Sequence, residues 1–171
     1  MSDKPTQVIY SSQDKTVREA VQPLLGLKDI EILASAVRNT VVALTVEGEI
    51  VQFEHAGFKQ VELMLDVTNA DTDAADTLDV YVDASINGVK WVNICHFTQI
   101  IGTDAAKTIV AIIPTIGAAV MTDVTADLVA GNMRNFIGSW LRSRATRFEG
   151  AGGGGMSVTY SLKAGVKPER G

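Results

Sequence analysis

The sequence has few of the residues that mark secreted, redox-active or membrane-spanning proteins. One cysteine among 171 residues allows no intramolecular disulfide, so an oxidising compartment gains no support. The N-terminal stretch MSDKPTQVIYSSQDK contains no apolar segment of the kind that a signal peptide needs. The longest apolar run, residues 109–121, is shorter than the roughly 20 residues of a membrane-spanning helix, and Pro114 and Gly117 interrupt it. We therefore expect a soluble protein that is made and used in a cytoplasm, with no membrane partner.

Signals for nucleic-acid and nucleotide binding are also scarce. The net charge of −5 disfavours direct contact with nucleic acid, and aromatic residues make up only 6% of the chain. The phosphate-binding pattern GxxxxGK[ST] does not occur. The run at 150–155 formally matches GxGxxG, but the residues after it predict a strand, so no helix N-terminus is available to hold a phosphate. We predict a hairpin loop there and no cofactor.

What the sequence does contain is a strand pattern that continues from residue 30 almost to the end. Apolar and polar residues alternate over 61–67 and 156–163, as they do in half-buried strands. Residues 108–113 are apolar on both faces, which predicts a strand buried on two sides. A further strand is predicted over 134–148, and residues 114–132 predict a long loop or short helix.

About eight strands without a sustained helical period predict an all-β fold, an antiparallel β-sandwich in one domain. A jelly roll is the first choice because eight strands in two sheets is its usual content, and an immunoglobulin-like Greek key is the second. We assign residues 28–166 to the sandwich. The polar residues 1–27 form an N-terminal arm or lead-in segment, and residues 167–171 form a polar C-terminal tail.

Residues 78–98 predict one long β-hairpin with a derivable register. Asn87-Gly88 is a strong signal for a type I′ turn, and a turn there makes the numbers of facing residues sum to 175. Asp79 would then face His96 on the polar side. The apolar facing pairs would be Ala84 with Trp91, Val80 with Cys95, and Leu78 with Phe97.

This register removes the most tempting catalytic pair. Cys95 and His96 are adjacent in sequence, so their side chains point to opposite faces of a strand. The Asp79–His96 pair lacks a nearby hydroxyl, because Ser85 is six residues from Asp79. The nucleophile pattern GxSxG is also absent. We predict a cross-strand contact between Asp79 and His96, and no catalytic residue.

The acidic segment 71–79 is a candidate for calcium. Several carboxylates in one loop suit this ion, but the segment has neither the glycine nor the terminal glutamate of an EF-hand loop. We therefore predict a solvated acidic loop and no metal site, with calcium left as the alternative. The acidic residues are Asp71, Asp73, Asp76 and Asp79.

A group of arginines gives the segment 134–148 a basic character in an otherwise acidic protein. Pairing with the protein's own carboxylates is the simpler prediction, and contact with an acidic neighbouring surface is the alternative. Nucleic acid is disfavoured because no exposed aromatics alternate with these side chains. The arginines are Arg134, Arg142, Arg144 and Arg147.

The hairpin and the segments around it resemble a pattern found in structural proteins of tailed bacteriophages. The pattern is a strand and turn, DTLDVYV followed by S-x-N-G, then W-x-x-I-x-x-FTQ and an arginine-bearing strand. It covers roughly residues 55–165 and leaves the N-terminal arm outside. The resembling segments are 58–70, 76–91, 96–102, 134–148 and 156–165.

The resemblance implies a non-enzymatic virion protein, most like a small capsid decoration (cement) protein, found in the virion and in the host cytoplasm during assembly. Its partners would be the major capsid protein or other virion proteins, and it would form a homo-oligomer, with a trimer as one option. A neck, tail or baseplate component is the alternative within that class. A carbohydrate-binding module, with Tyr81 and Trp140 as stacking aromatics, is a second class, and a hydrolase on a sandwich scaffold is a third.

Overall fold

A computed structural model describes most of the chain between residues 28 and 168. The predicted N-terminal arm at 1–27 and most of the predicted glycine-rich loop at 150–155 lie outside the described residues. Of the predicted loop or helix at 114–132, residues 115–125 also lie outside them. The described ranges are 28–38, 42–52, 58–70, 73–114, 126–150 and 157–168.

The described residues form ten β-strands, and all of the strand pairs are antiparallel. No helix among them is long and apolar enough to cross a membrane. The predicted all-β fold is confirmed. The strands are β1 Lys28–Arg38, β2 Val42–Gln52, β3 Phe58–Asn69, β4 Thr77–Ser85, β5 Val92–His96, β6 Ile100–Ile101, β7 Lys107–Pro114, β8 Asn132–Met133, β9 Trp140–Phe148 and β10 Val158–Pro168.

The strands build two sheets that pack as a β-sandwich. Sheet A has the order β1-β10-β3-β7, and sheet B has the order β2-β9-β4-β5-β8, with β6 paired to β4. Among the described strands of five residues or more, β4 and β5 are the only consecutive pair within one sheet. Every other connection between long strands crosses from one sheet to the other.

The core lies between the two sheets and follows from the alternation in the sequence. The inward residues of β3, which run from Val61 to Val67 at every second position, are fully buried. Leu78, Val80 and Val82 of β4 come from the other sheet and belong to the same apolar cluster. Burying a side chain of this size contributes about 1.5–3 kcal/mol. This alternation therefore makes a major contribution to holding the two sheets together.

The turn between β4 and β5 differs from the prediction. Gly88 has a φ of 72°, but none of the described non-glycine residues has a positive φ, so Asn87 does not adopt the type I′ conformation. The Ser85 hydroxyl instead accepts hydrogen bonds from the backbone N–H groups of Asn87 and Gly88, at 3.3 and 2.9 Å. The side chain of Asn87 accepts from the N–H groups of Val89 and Lys90. These contacts stabilise a wider turn than the one predicted.

The wider turn shifts the predicted register. Val82 faces Cys95 and Ala84 faces Val92, with a register shift between the two pairs. Trp91 therefore does not join the apolar face, and its ring lies 4.4 Å from the Arg142 guanidinium. The predicted separation of Cys95 from His96 is confirmed, because Cys95 lies in the core while His96 contacts polar groups.

Two predicted strands also need correction. Residues 108–113 are not buried on both sides, because β7 is an edge strand of sheet A with Val110 and Ile112 facing outward. The strand predicted over 134–148 begins at Trp140. The residues before it pack Phe136 and Ile137 against the core instead of pairing along a neighbouring strand.

Candidate functional site

The richest cluster of charged and aromatic side chains among the described residues lies on the outer face of sheet B. Alternate residues of β4 and β9 point to this face, because successive side chains of a strand point to opposite sides. Residues of β5 and of the preceding turn complete the group. We call it the outer cluster, and its members are Asp79, Tyr81, Asp83, Trp91, Asn93, His96, Arg142 and Arg144.

Asp83 is the centre of the outer cluster and is almost completely buried. One of its oxygens accepts hydrogen bonds from the Nε atoms of Arg142 and Arg144, at 2.9 and 2.7 Å. Its other oxygen accepts from Nη2 of Arg144 at 2.9 Å, which makes that contact bidentate. Bidentate arginine–carboxylate pairs are among the stronger polar contacts in proteins. A buried carboxylate with two arginines is therefore the main electrostatic feature of this face.

Arg144 is bound by a second carboxylate as well. Asp127 accepts hydrogen bonds from Nη2 and Nη1 of Arg144, at 2.7 and 3.1 Å. Burial lowers the pKa of Arg144, but hydrogen bonds to Asp127 and Asp83 outweigh it and raise that pKa. The same contact with Arg144 lowers the pKa of Asp127. Because its guanidinium is bound to two carboxylates, Arg144 is not available to bind an external anion.

His96 lies between two hydrogen-bond acceptors. Its Nε2 is 3.0 Å from a carboxylate oxygen of Asp79, and its Nδ1 is 2.8 Å from the carbonyl oxygen of Leu128. Both partners can only accept, so both contacts are hydrogen bonds when both ring nitrogens carry a hydrogen. The ring also stacks on Tyr81 at a centroid distance of 3.9 Å. The predicted Asp79–His96 contact is confirmed, although Tyr81 and not Asp79 is directly opposite His96.

Asn93 joins the outer cluster to residues 126–134, which no sequence pattern places near it. Its carbonyl oxygen Oδ1 accepts from the N–H of Leu128 at 3.0 Å. Arg134 donates to the backbone carbonyls of Asn93 and Ala126, both at 2.8 Å. The short strand β8 then pairs with β5. Residues 126–134, which we call the bound segment, are thus held against sheet B by side chains of β5 and β9.

The described geometry gives the outer cluster no nucleophile in a reactive position. The Ser85 hydroxyl is used within the β4–β5 turn, where it also donates to the carbonyl of Lys90. Cys95 lies in the core, and burial raises the pKa of its thiol to about 12, so the thiol stays protonated near neutral pH. What the arrangement can do chemically is hold the bound segment in one place.

The acidic residues of segment 71–79 point to different partners. Asp73 accepts a hydrogen bond from the N–H of Ala75, and buried Asp76 accepts from the N–H of Gly150 at 2.7 Å. Asp79 accepts from Gln99 and contacts His96. Asp71 lies outside the described residues. Within the part of the chain that the structure describes, no three His, Cys, Asp or Glu side chains are grouped so that they could hold a metal ion.

A second polar cluster lies inside the sandwich, where strands of both sheets meet. Glu47 of β2 accepts hydrogen bonds from Arg147 of β9 and from the hydroxyl of Tyr160 on β10. Arg147 also donates to the Tyr160 hydroxyl at 3.2 Å, and the Arg38 guanidinium lies 4.5 Å from the Tyr160 ring. Burial, followed by the contact with Glu47, raises the pKa of Tyr160. This interior cluster joins sheet A to sheet B.

Three of the four predicted arginines pair with the protein's own carboxylates, as the simpler prediction had it. Arg142 and Arg144 bind Asp83, Arg147 binds Glu47, and Arg134 binds backbone carbonyls. The carboxylates that bind these arginines were not predicted from the sequence. Asp83 carries a usable signal, because it falls on the polar face of a predicted strand. Glu47 and Asp127 come from distant segments and carry none.

The aromatic residues named for sugar stacking are occupied by other contacts. Tyr81 stacks on His96, and its ring lies 5.2 Å from the Arg144 guanidinium. Trp140 lies beside the β4–β5 turn, where a Cβ added to Gly88 would come within 3.4 Å of its ring. Both side chains are only partly exposed.

The two polar clusters therefore stabilise the sandwich and the position of the bound segment. No protein-family model matches the sequence, and no curated protein matches it either.

Proposed function

We propose that this chain is a non-enzymatic structural protein of a tailed-bacteriophage virion, which decorates and stabilises the capsid by binding the major capsid protein. The observation that carries the proposal is the strand order. Taking the eight strands of five residues or more, β1-β10-β3-β7 faces β2-β9-β4-β5. We infer from this order a jelly roll, an eight-stranded double-sheet fold that is frequent in viral capsid proteins.

The distribution of polar groups supports a structural role. A fold alone does not select a function, so the site must be considered separately. In the outer cluster the charged groups bind one another or the backbone, which suits a face that has to stay rigid. The bound segment is held on that face and presents Val129 and Met133 to solvent. Exposed apolar side chains on a fixed segment suit contact with another protein.

A decoration protein needs a rigid surface that can bind at many equivalent positions of the capsid, and the outer cluster provides such a surface. A protein that attaches to many equivalent positions gains avidity from multivalency, even where each contact is weak. Rigid surfaces lose little conformational entropy on binding, and the many internal hydrogen bonds of the outer cluster give such a surface. We propose a homo-oligomer as the attaching species, with a trimer as one option, found in the virion and in the host cytoplasm during assembly.

Quantitative proteomics of purified virions tests the proposal. We expect a copy number comparable with that of the major capsid protein. A handful of copies would contradict lattice-wide decoration and favour the runner-up, a neck, tail or baseplate component. Absence from virions would overturn both. A glycan array then distinguishes a virion structural protein from a carbohydrate-binding module, because only the module should bind a specific sugar.

A further inference from the structure

The free edges of the two sheets differ in how well they are protected against pairing with another strand. An exposed edge presents unpaired N–H and C=O groups, and proteins usually interrupt it with bulges, charges or very short strands. In sheet B, the edge strand β8 has only two residues. The other edge strand, β2, has two register shifts and carries Glu47 and Glu49. Both edges of sheet B are thus protected.

In sheet A, β1 is protected in a similar way. Its pairing with β10 contains two register shifts, so the strand is irregular along its length. Arg38 also donates hydrogen bonds to the carbonyl groups of Ala34 and Ala36, at 3.1 and 2.8 Å. A second strand would have to compete with this side chain for those acceptors.

The remaining edge strand, β7, has no bulge and eight residues, and its protecting residues, Lys107 and Pro114, lie only at its two ends. All eight of its residues pair with β3 without a register shift. After Lys107 it carries no charge, and its outward residues Val110 and Ile112 are 54% and 50% exposed. Met64 of β3, directly opposite Val110, extends the exposed apolar surface. A regular, uncharged and β-branched edge of this kind pairs readily with another strand.

We propose that β7 pairs with β7 of a second copy of this chain, antiparallel and about a two-fold axis at Ala111. In this register Val110 of one copy faces Ile112 of the other, on the outward side. Ile109 faces Ile113 on the core side, so β-branched residues meet on both faces. Lys107 stays beyond the paired region, which avoids placing a charge opposite an apolar residue.

A second copy fits this edge better than an unrelated strand does. A two-fold contact needs a surface that is complementary to itself. The strand meets this condition because its residues alternate in the same way about Ala111 and none of those paired is charged. The dimer would join two copies of the four-stranded sheet A into one sheet of eight strands, a size that twisted open sheets tolerate. This pairing goes beyond the proposed virion role and does not depend on it.

The mass of the purified protein in solution, measured by light scattering over a dilution series, gives the first test. We expect a dimer for the wild type and a monomer for Ile112→Lys, which places like charges near the axis. The matched control is Val89→Lys, at a 76%-exposed position of the β4–β5 turn, and it should remain a dimer. Circular dichroism shows whether each variant keeps its β-fold. A monomeric wild type, a trimer, or a dimer unchanged by Ile112→Lys would each overturn the proposal.

Cysteine cross-linking tests the register itself. Val110→Cys and Ile112→Cys proteins are mixed and oxidised, and buried Cys95 should not interfere. We expect a disulfide-linked heterodimer in the mixture and much less cross-linking in either protein alone, because only residues 110 and 112 face each other directly. The two variants keep the outward position apolar, so their folding is not at risk from a charge. A dimer that gives no heterodimer disulfide would show that another segment or another face forms the contact.

Discussion

At the scale of the residue, Asp83 has the largest electrostatic role on the outer face of sheet B. It is buried, and it binds Arg142 and Arg144 through three hydrogen bonds from their guanidinium groups. Removing one partner of a buried ion pair leaves the other charge without compensation, which costs about 3–5 kcal/mol. Asp127 still binds Arg144 in such a variant, so the loss should lie near the lower limit.

We predict that Asp83→Asn lowers the free energy of unfolding by about 3 kcal/mol. Asp104→Asn is the matched control, because its ion pair with Lys107 is partly exposed to solvent and should contribute less than about 1 kcal/mol. Urea denaturation followed by tryptophan fluorescence measures both values. If both variants lose the same free energy of unfolding, the burial of Asp83 does not make its ion pairs stronger than an ion pair at the surface.

The Asp79–His96 contact shows how much residue chemistry can be predicted from the sequence. The predicted register was wrong, yet the contact forms, because Asp79 is two residues from Tyr81 and therefore diagonal to His96. Diagonal neighbours in a sheet are still within reach of long side chains. The Leu128 carbonyl on the other side of the ring could not be predicted, since it comes from a distant segment with no periodic pattern.

At the scale of the element, β2 depends on one glycine. Gly48 has a φ of 77° and lies within the register shift between β2 and β9. A Cβ at this position would clash with the carbonyl oxygen of Ile32 and would lie 2.9 Å from Cδ1 of Leu33. The close approach of β2 to β1 therefore requires a residue without a side chain. Gly131 has a similar φ of 80°, but a Cβ there would meet only Thr98, at 3.7 Å.

Alanine substitutions at Gly48 and Gly131 distinguish the cost of backbone strain from the cost of a steric clash, because both positions have a positive φ but only Gly48 has close neighbours. Gly131→Ala should cost about 1 kcal/mol, the usual penalty for alanine in a left-handed conformation. Gly48→Ala should cost about 1–3 kcal/mol more, because overpacking is added to the same strain. Thermal and urea unfolding of the two variants measure the difference. Similar losses would contradict a close contact between β1 and β2.

The elements also show where the sequence stops being informative. The inward residues of β3 and β4 were predicted correctly, because alternation reports directly which side of a strand is buried. The β4–β5 turn was predicted wrongly because the Ser85 and Asn87 side chains bind the backbone and override the local preference of Asn-Gly. β7 was predicted wrongly because an apolar sequence does not reveal whether its outward face is covered.

At the scale of the whole molecule, the buried side chains of Cys95 and Tyr160 make the free energy of unfolding fall at alkaline pH. Burial raises the pKa of Cys95 to about 12, whereas the thiol in an unfolded chain titrates near 8.5. Above that pH the unfolded state releases a proton that the folded state retains, so the free energy of unfolding falls as pH rises. Tyr160, whose pKa is also raised by burial, acts in the same direction at higher pH.

We predict a loss of about 1.4 kcal/mol per pH unit from about pH 9, with a steeper loss above about pH 10 where tyrosine titrates. In Cys95→Ala the slope between pH 9 and 10 should be nearly flat, whatever the variant's stability at neutral pH. Urea unfolding at a series of pH values measures the slopes. A wild-type slope that Cys95→Ala leaves unchanged would contradict a buried, protonated thiol.

The order of the strands has a consequence for how the protein is made. β1 pairs with β10 and β2 pairs with β9, so each early strand bonds to one that is translated near the end. On the ribosome, neither sheet can be completed until those late strands have emerged. The β4–β5 hairpin and the β3–β7 pair can form earlier, because their strands are translated before β9 and β10. Unpaired nascent strands therefore remain exposed through most of translation, and the yield of folded protein should depend on elongation speed and on chaperones.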